Sequence, residues 1–342
     1  MPLKEDEYGQ IREELDSAKR PLIFFHDDPD GLCSYLQVYK HIGEGKGVII
    51  KSQPRIDEKY LRKVEEYSPD KIIILDIALL DQDFVDRAKK PIVWIDHHGP
   101  EEIHGVKYFN PRKHGTLEPV SYLTYKAVEK SLWIAVTGTI ADMHWPEDLV
   151  GEFRERYPGL LPEKYGEPRS ALYETRLGEL IKILSFVLKG TSTESLRYAK
   201  VLTRVKDPME ILDGTTARGK YILKRFEQIN SEYVGLLEEA RASAGKSKIL
   251  LYTYRDRKYA FSGDLANELI YRHPDKLVIV GREKSGEYKC SFRSNDTVLP
   301  PLIEKALEDC EGYGGGHEYA AGGCIKADCF SRFVDNLKKG LS

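Results

Sequence analysis

This sequence has few cysteines, no long apolar run and no excess of positive charge. The five cysteines include no CxxC pair, which argues against a disulfide framework or a zinc ribbon and favours buried thiols. No stretch of 18 or more apolar residues is present, so no membrane-spanning helix is expected. The net charge of −3 excludes a protein that holds duplex DNA by charge alone.

The beginning of the sequence, "MPLKEDEYGQ", is polar and acidic and does not have the pattern of a signal peptide. We therefore expect a cytoplasmic protein. Hydrophobic residues make up 41% of the 342 positions, which is enough for ordinary cores, and this length favours two domains.

Short apolar runs alternate with helical patterns in the first half of the chain. The runs cover 21–25, 47–53, 71–77 and 91–98, and 57–67 is a typical helical segment between them. This alternation predicts βαβ units and a parallel sheet. From about 168 to 240 the pattern becomes long and helical, which predicts a helical connector at 191–245 after an α/β domain at 1–190.

Strand patterns return in the last third of the chain. The predicted strands are 249–255, 276–283, 288–294 and 324–327, and the predicted helices are about 262–273 and 298–310. They predict a smaller α/β domain with a mixed sheet at 246–342.

Acids and histidines stand where the strands of the first domain are expected to end. They are His26, Asp28, Asp30, Asp76, Asp96, His97 and His98, and a later helical run leads to Asp142. The carboxyl ends of the strands in an open α/β sheet face the ligand crevice. A single acid at such a place is usually a surface residue, but this series predicts that the side chains converge in one cleft.

So much negative charge in one cleft requires a counter-charge. Carboxylates and imidazoles without thiolates favour Mn²⁺ or Mg²⁺ over a structural zinc. The donors outnumber the needs of one ion, so we expect two ions that share a carboxylate. Such pairs activate water for in-line attack on phosphorus.

The ordered motifs resemble those of the DHH phosphoesterase superfamily. They are "HDDPDG" (26–31), "ILDIA" (74–78), the Asp96-His97-His98 triplet that names the family, and "GTIADM" (138–143). The segment "GYGGGHEYAAGG" (312–323) resembles the signature of the associated DHHA1 domain, together with "FSGDLANEL" (261–269) and "CSFRSN" (290–295). The whole arrangement is similar to RecJ-type single-strand exonucleases, particularly their archaeal branch.

The resemblance implies a DHH catalytic domain, a helical connector and a DHHA1 substrate-binding domain within the limits given above. It implies metal ligation by His26, Asp28, Asp30, Asp76, His97 and Asp142, with Asp76 bridging two Mn²⁺ or Mg²⁺ ions. His26 lies closer in sequence to the aspartates than the ligating histidine of some relatives does. His98 is expected to contact the scissile phosphate, and Asp96 to orient the neighbouring imidazoles. Asp27 matches no motif position and is expected to face solvent.

The glycine-rich segment has a physical logic of its own. Gly314, Gly315 and Gly316 would let backbone N–H groups approach a phosphate, to which His317 can donate a hydrogen bond. Arg293, with Ser294 beside it, is suited to a second phosphate or a terminal group. Ser262 and Asn267 are expected to add neutral contacts. A tight turn between two strands is the alternative interpretation of the glycines.

The leading hypothesis is a Mn²⁺- or Mg²⁺-dependent exonuclease that degrades single-stranded DNA or RNA to mononucleotides. The alternative is a phosphodiesterase or phosphatase acting on small nucleotides: a nanoRNase or oligoribonuclease, a 3′-phosphoadenosine 5′-phosphate phosphatase, or a dinucleotide phosphodiesterase. A family II pyrophosphatase lacks the glycine-rich domain, and a replication scaffold without metal would not keep the complete ligand set. The archaeal resemblance also implies a helicase or another replication or repair protein as partner. The sequence leaves open the 5′ or 3′ polarity and the choice between DNA and RNA.

Overall fold

A computed structural model of the chain describes residues 3–51 and 54–341. The chain forms two compact units, Met1–Phe226 and Glu227–Ser342, called here the N-terminal and C-terminal units. The division falls within a long helix, at a position inside the predicted connector 191–245. The limits of the three predicted segments stay a prediction.

The N-terminal unit is built on a five-stranded parallel sheet. The strands of this unit within the described residues are β1 (Leu22–His26), β2 (Lys46–Ile50), β3 (Arg55–Ile56), β4 (Ile72–Leu75), β5 (Leu79–Leu80), β6 (Ile92–Ile95) and β7 (Lys107–Phe109). The larger sheet has the order β2-β1-β4-β6-β7 with all neighbours parallel, and β3 and β5 form a separate two-stranded parallel sheet. The predicted parallel sheet is therefore confirmed.

Helices cover both faces of this sheet. In chain order, the described helices up to the one that spans the division between the units are α1 (Glu5–Asp16), α2 (Pro29–Ile42), α3 (Leu61–Tyr67), α4 (Gln82–Ala88), α5 (Val120–Val128), α6 (Leu132–Ala141), α7 (Glu147–Arg156), α8 (Pro168–Glu174), α9 (Arg176–Val187), α10 (Ser192–Leu202), α11 (Met209–Leu212) and α12 (Ala217–Ala242). Of these, α2 packs on one face of the sheet and α3 and α4 on the other. Local signals fix several starts: Asp28 accepts a hydrogen bond at the start of α2, and Thr191 and Glu194 form a capping box at the start of α10.

The core of the N-terminal unit follows from the alternation of side chains along each strand. Phe24, Ile74 and Trp94 lie in one buried cluster with residues of α3 and α4. The opposite face of β1 is covered by α2, which packs in turn on α5 and α6. Strands buried on both faces are apolar throughout, which is why the runs at 21–25 and 71–77 are continuous.

The second predicted strand is shorter than expected. The run 47–53 forms a strand only as far as Ile50, and Lys51 follows it without regular structure. Ser52 and Gln53, which the prediction included, lie outside the described residues.

The C-terminal unit contains a mixed sheet. Its strands are β8 (Ile249–Arg255), β9 (Leu277–Lys284), β10 (Glu287–Arg293), β11 (Gly312–His317) and β12 (Ala320–Lys326), and its helices after α12 are α13 (Ser262–Arg272), α14 (Leu299–Leu307) and α15 (Phe330–Gly340). The strand order is β11-β12-β10-β9-β8, in which β8 and β9 are parallel and the other neighbours are antiparallel. The predicted mixed sheet is confirmed.

The two faces of the mixed sheet are covered unequally. Residues of α14 and α15 pack on one face in a cluster that includes Ile279, Phe292 and Ile325. The other face meets α13, where Tyr254 contacts Ser262 and Arg293 contacts Asn267. Beyond α13, this second face remains open over the glycine-rich end of the sheet, since Gly315 and Gly322 are exposed.

Among the described residues, none of the helices combines the length and the apolar character that crossing a lipid bilayer requires.

We expect Gly138→Ala to lower the free energy of unfolding by about 1–3 kcal/mol, because overpacking a core has that cost. A Cβ at this position of α6 would lie 2.6 Å from the Ser121 Cβ and 2.7 Å from the Cys33 Cβ. Gly151→Ala on α7 is the matched control, since its Cβ would meet no described atom within 4 Å. That control should raise stability by up to about 1 kcal/mol through helix propensity. Urea unfolding measures both, and equal effects would contradict the packing argument.

Candidate functional site

The ends of three adjacent strands bring the predicted acids and histidines together. The β1, β4 and β6 strands are parallel neighbours, and Phe25, Leu75 and Ile95 lie side by side in register. The next residue along each strand is therefore His26, Asp76 or Asp96. His97 and His98 follow on the third strand, Asp28 and Asp30 lie at the start of α2, and Asp142 follows the end of α6.

Asp76 lies at the centre of this group. Its side chain is 1% exposed, and neither carboxylate oxygen accepts a hydrogen bond from the described residues. His26 and His97 approach these oxygens at 3.5 and 3.4 Å without the alignment of a hydrogen bond. The backbone of Asp76 has φ +57°, in the left-handed region that few residues other than glycine, asparagine and aspartate adopt. A buried carboxylate without donors, held by an unusual backbone, is an expected feature of a cation ligand.

His26 and Asp28 lie on one side of Asp76. His26 Nδ1 is 2.7 Å from Asp28 Oδ2, and the other Asp28 oxygen accepts from the Gly31 amide at 2.9 Å. These two side chains and Asp76 offer three donor atoms within 4.8 Å of one another. Despite the short sequence spacing of His26, the structure brings it into the group.

Asp30, His97 and Asp142 form a second group on the other side. They offer donor atoms within 4.8 Å of one another, and His97 Nδ1 is 3.6 Å from Asp142 Oδ2. Asp30 is buried, and its two oxygens accept from the Val120 and Ser121 amides, each at 2.8 Å. The N-terminus of α5 therefore fixes the Asp30 carboxylate and helps to stabilise its charge.

Asp96 is fully buried and fixes the orientation of the His98 side chain. One oxygen lies 2.8 Å from His98 Nδ1, and the other accepts from the His98 backbone amide at 2.9 Å. This arrangement directs the Nε2 edge of the imidazole away from Asp96. Asn110 donates to the His98 carbonyl oxygen at 3.0 Å, and Arg112 donates to the His97 carbonyl oxygen at 2.6 Å. The role of Asn110 was missed in the sequence because its contacts depend on the fold.

The charges of the cluster perturb one another strongly. Burial raises the pKa of Asp142 to about 7, the charge of Asp76 adds to this, and His97 opposes it. Burial likewise raises the pKa of Asp76 and, with the charges of Asp76 and Asp142, raises that of Asp30 well above its usual range. Burial alone would lower the pKa of His26, but the charge and hydrogen bond of Asp28 raise it to about 11.

His97 follows the same pattern as His26. Burial alone would lower its pKa, but the adjacent Asp76 and the charge of Asp30 raise it to about 10. The imidazoles therefore serve as positive counter-charges among the protein groups themselves. Three overlapping groups of donors, all of them oxygen or imidazole nitrogen, fit divalent cations in this cluster, and two of the groups share Asp76.

Asp27 does not face solvent as expected. Its carboxylate is one-quarter exposed and lies 3.1 Å from Lys51 Nζ, which also donates to the Leu188 carbonyl oxygen at 2.7 Å. The prediction was wrong because Lys51 follows the neighbouring strand and is brought to Asp27 only by the sheet.

The predicted substrate-binding residues all lie in the C-terminal unit, where Ser262 and Asn267 belong to α13 and Arg293 contacts it. Arg293 Nε donates to Asn267 Oδ1 at 2.6 Å, and Ser262 lies 3.1 Å from the Tyr254 hydroxyl. Ser294 differs, since it is buried and its hydroxyl accepts from the Thr297 amide and contacts Asp296. This placement gives Ser294 a role within the turn and keeps its hydroxyl from solvent.

The glycine-rich segment is neither a loop nor a turn. Gly314, Gly315, Gly316 and His317 belong to the edge strand β11, and all four are exposed. Gly316 has φ +143°, and a Cβ there would lie 2.8 Å from the Ala320 carbonyl oxygen. A Cβ at Gly314 would lie 2.7 Å from Ile303 of α14, whereas one at Gly315 would meet no described atom within 4 Å. The Gly315 face is therefore open.

Comparisons with known proteins agree with this architecture. Residues 20–143 match the model of the DHH family N-terminal domain, and residues 248–342 match that of the DHHA1 domain. No curated protein sequence matches the chain.

Solved structures share the fold at low sequence identity. RecJ from Thermus thermophilus in complex with Mn²⁺ has a TM-score of 0.68 and 18% identity, over 99% of this chain and 55% of the RecJ chain. This chain therefore spans little more than half of that protein. An exonuclease RecJ bound to manganese has a TM-score of 0.65 and 16% identity, over 99% and 94% of the two chains. The pGpG-specific phosphodiesterase PggH from Vibrio cholerae has a TM-score of 0.52 and 14% identity, over 94% and 98%.

We expect Mn²⁺ binding to release at least two protons at pH 7, to which the half-protonated Asp142 would add, and to strengthen as the pH rises from 6 to 8. The reason is that His26 and His97, with pKa values of about 11 and 10, hold an additional proton that a ligating imidazole must lose. Titration calorimetry in two buffers of different ionisation enthalpy measures the protons released. His97→Gln should reduce their number by about one, whereas His41→Gln, outside the cluster, should not. Binding without proton release would contradict this account.

Proposed function

Because this chain belongs to the DHH and DHHA1 phosphoesterase superfamily, we propose that it is a metal-dependent exonuclease that hydrolyses single-stranded DNA or RNA to mononucleotides. One observation carries the proposal: Asp76 is buried, accepts no hydrogen bond from the described residues, and belongs to two of the candidate metal-ligand groups. This is the arrangement that a carboxylate shared by two cations requires.

The proposed ligands of two Mn²⁺ or Mg²⁺ ions follow from these groups. His26 and Asp28, grouped with Asp76, would hold one ion, and Asp30, His97 and Asp142 would hold the other. Asp76, which lies 3.4 Å from His97 Nε2, would serve both ions, as the resemblance implies. Divalent cations at such a site lower the pKa of bound water and neutralise charge that develops on the phosphoryl oxygens. The two Asp76 oxygens accept no hydrogen bond from the described residues, which supports their assignment as metal ligands.

The remaining residues of the site have roles that need no metal. Asp96 accepts from His98 Nδ1, which leaves Nε2 as the atom that contacts the scissile phosphate. Burial alone would lower the pKa of His98, but the hydrogen bond and charge of Asp96 raise it. The raised pKa favours an imidazolium, which can donate a hydrogen bond to that phosphate. Asp96 is therefore proposed as a positioning residue and His98 as a catalytic one.

In the C-terminal unit, Arg293 is proposed to bind the phosphate of the chain end. Asn267 orients the guanidinium through its Nε, and Ser262 lies at the start of the same helix. The exposed β11 segment Gly314–His317 would add backbone donors and the His317 side chain. The cytoplasmic location and a helicase or repair partner stay predictions from the sequence and the resemblance.

The alternative is a phosphodiesterase or phosphatase for small nucleotides. The likeness to the pGpG-specific enzyme, nearly all of whose chain is covered, supports keeping this alternative. The two hypotheses differ in the preferred length of the substrate. Single strands of 2, 5, 10 and 20 nucleotides, labelled at either end, would discriminate them; rates that fall beyond a few nucleotides would favour the alternative.

We expect the Mn²⁺-loaded chain to shorten the longer single strands stepwise to mononucleotides, and Asp76→Asn to abolish this hydrolysis. Asparagine keeps the volume and tolerates the positive φ, so the fold should be retained while the shared charge is lost. Asp86→Asn on α4 is the control, since its carboxylate is exposed and contacts Gln82. Gel analysis of labelled products measures the activity. Substantial turnover by Asp76→Asn would remove Asp76 from the mechanism.

We expect Arg293→Ala to raise the KM for single strands about tenfold or more with a smaller effect on kcat, because it removes a charged contact to the chain end and not to the reacting phosphate. Arg332→Ala on α15, which packs on the opposite face of the sheet, should leave both constants unchanged. Steady-state kinetics with one oligonucleotide measures both variants. A normal KM with a low kcat would contradict the proposed role.

A further inference from the structure

The open face of the mixed sheet beside α13 carries very small residues, and this surface around Gly315, Gly322 and Ser291 is called here the trough. Gly315, Gly322 and Ser291 lie side by side across β11, β12 and β10. A Cβ on Gly315 would meet no described atom within 4 Å, and one on Gly322 would meet only the Cys290 carbonyl oxygen, at 3.7 Å. This surface can therefore receive a flat or compact group at van der Waals distance.

The two ends of the trough differ in chemistry. At one end, His317 and Arg293 lie in the next row of residues, on the same face, and both carry N–H donors. At the other end is Tyr313, two residues before Gly315 on the same strand and the same face. Tyr313 is 72% exposed, more than any other large apolar side chain among the described residues.

The spacing along β11 suits one nucleotide. Residues two apart on a strand are separated by about 7 Å, so His317 and Tyr313 are about 13 Å apart with Gly315 midway between them. A phosphate at His317 and Arg293 leaves the sugar above the glycines and the base beside Tyr313. Aromatic side chains stack on any nucleobase, because every base has a π face.

We propose that this trough is a nucleotide subsite in which the base of the terminal nucleotide stacks on Tyr313. The inference rests on the proposed function for the nature of the ligand, and it adds the part of the nucleotide that is recognised and the residue that recognises it. Because stacking tolerates all bases, the subsite contributes affinity for a nucleoside without selecting a sequence.

The test measures binding without hydrolysis, by calorimetry of the full chain in EDTA with adenosine 5′-monophosphate or ribose 5-phosphate as the probe. We expect Tyr313→Ala to weaken binding of the nucleotide about tenfold and to leave that of the sugar phosphate unchanged. Tyr313→Phe should bind the nucleotide as the unmodified chain does, since the ring is retained. Arg293→Ala should weaken binding of both probes.

The control is Tyr221→Ala, which removes an exposed tyrosine of α12 that is not in the trough and should change neither affinity. The proposal is overturned if the unmodified chain does not bind the nucleotide, if Tyr313→Ala binds it normally, or if that variant loses both probes equally. These outcomes are independent of catalysis: a chain that binds as expected but cleaves no single strand refutes the exonuclease and keeps the subsite.

Discussion

Carboxylates repel one another most strongly where water cannot reach them, and the N-terminal unit places Asp76 and Asp30 in such surroundings, with the partly exposed Asp142 beside them. The parallel sheet forces this proximity, because the ends of β1, β4 and β6 are neighbours in register. Part of this repulsion is offset by the imidazoles of His26 and His97 and by the backbone amides of Gly31, Val120 and Ser121. In the proposed enzyme, bound cations would offset a further part. Asp76 is almost fully buried and accepts no hydrogen bond from the described chain, so its burial is the strongest structural argument for a bound cation.

The supports of the cluster come from distant parts of the N-terminal unit. Asp30 is held by the start of α5, Asp96 is held beside His98, and Asp142 ends α6, which packs tightly against α5 at Gly138. A change in the packing of α5 or α6 would therefore move a ligand. The packing of the hydrophobic core in this unit therefore determines where the side chains of the polar site lie. Functional side chains must be positioned to within about 0.5 Å, and that precision depends on such support.

Much of the polar cluster could be predicted because strand ends are readable in a sequence. An apolar run followed by Asp or His marks the end of a buried strand, and parallel strands bring their ends together, so Asp76, Asp96 and His26 could be placed side by side. The amides that hold Asp30 could not, because they lie about 90 residues away and depend on how α5 docks. The ion pair of Asp27 with Lys51 and the contacts of Asn110 and Arg112 were missed for the same reason. The strand formed by Gly314, Gly315 and Gly316 was not predicted, because glycine has a low strand propensity and this edge strand is fixed by its partner β12.

The glycines of β11 have a consequence for how sequence variation in this region should be interpreted. Alanine at Gly314 or Gly316 collides with protein atoms and acts on folding, whereas alanine at Gly315 points into open space. A survey of variants scored only by activity would give these neighbours the same intolerance. A survey scored by cellular abundance would distinguish them. Substitutions at Gly314 and Gly316 would lower abundance because the protein's own atoms constrain these positions, whereas a substitution at Gly315 would affect only the binding of a molecule at the surface.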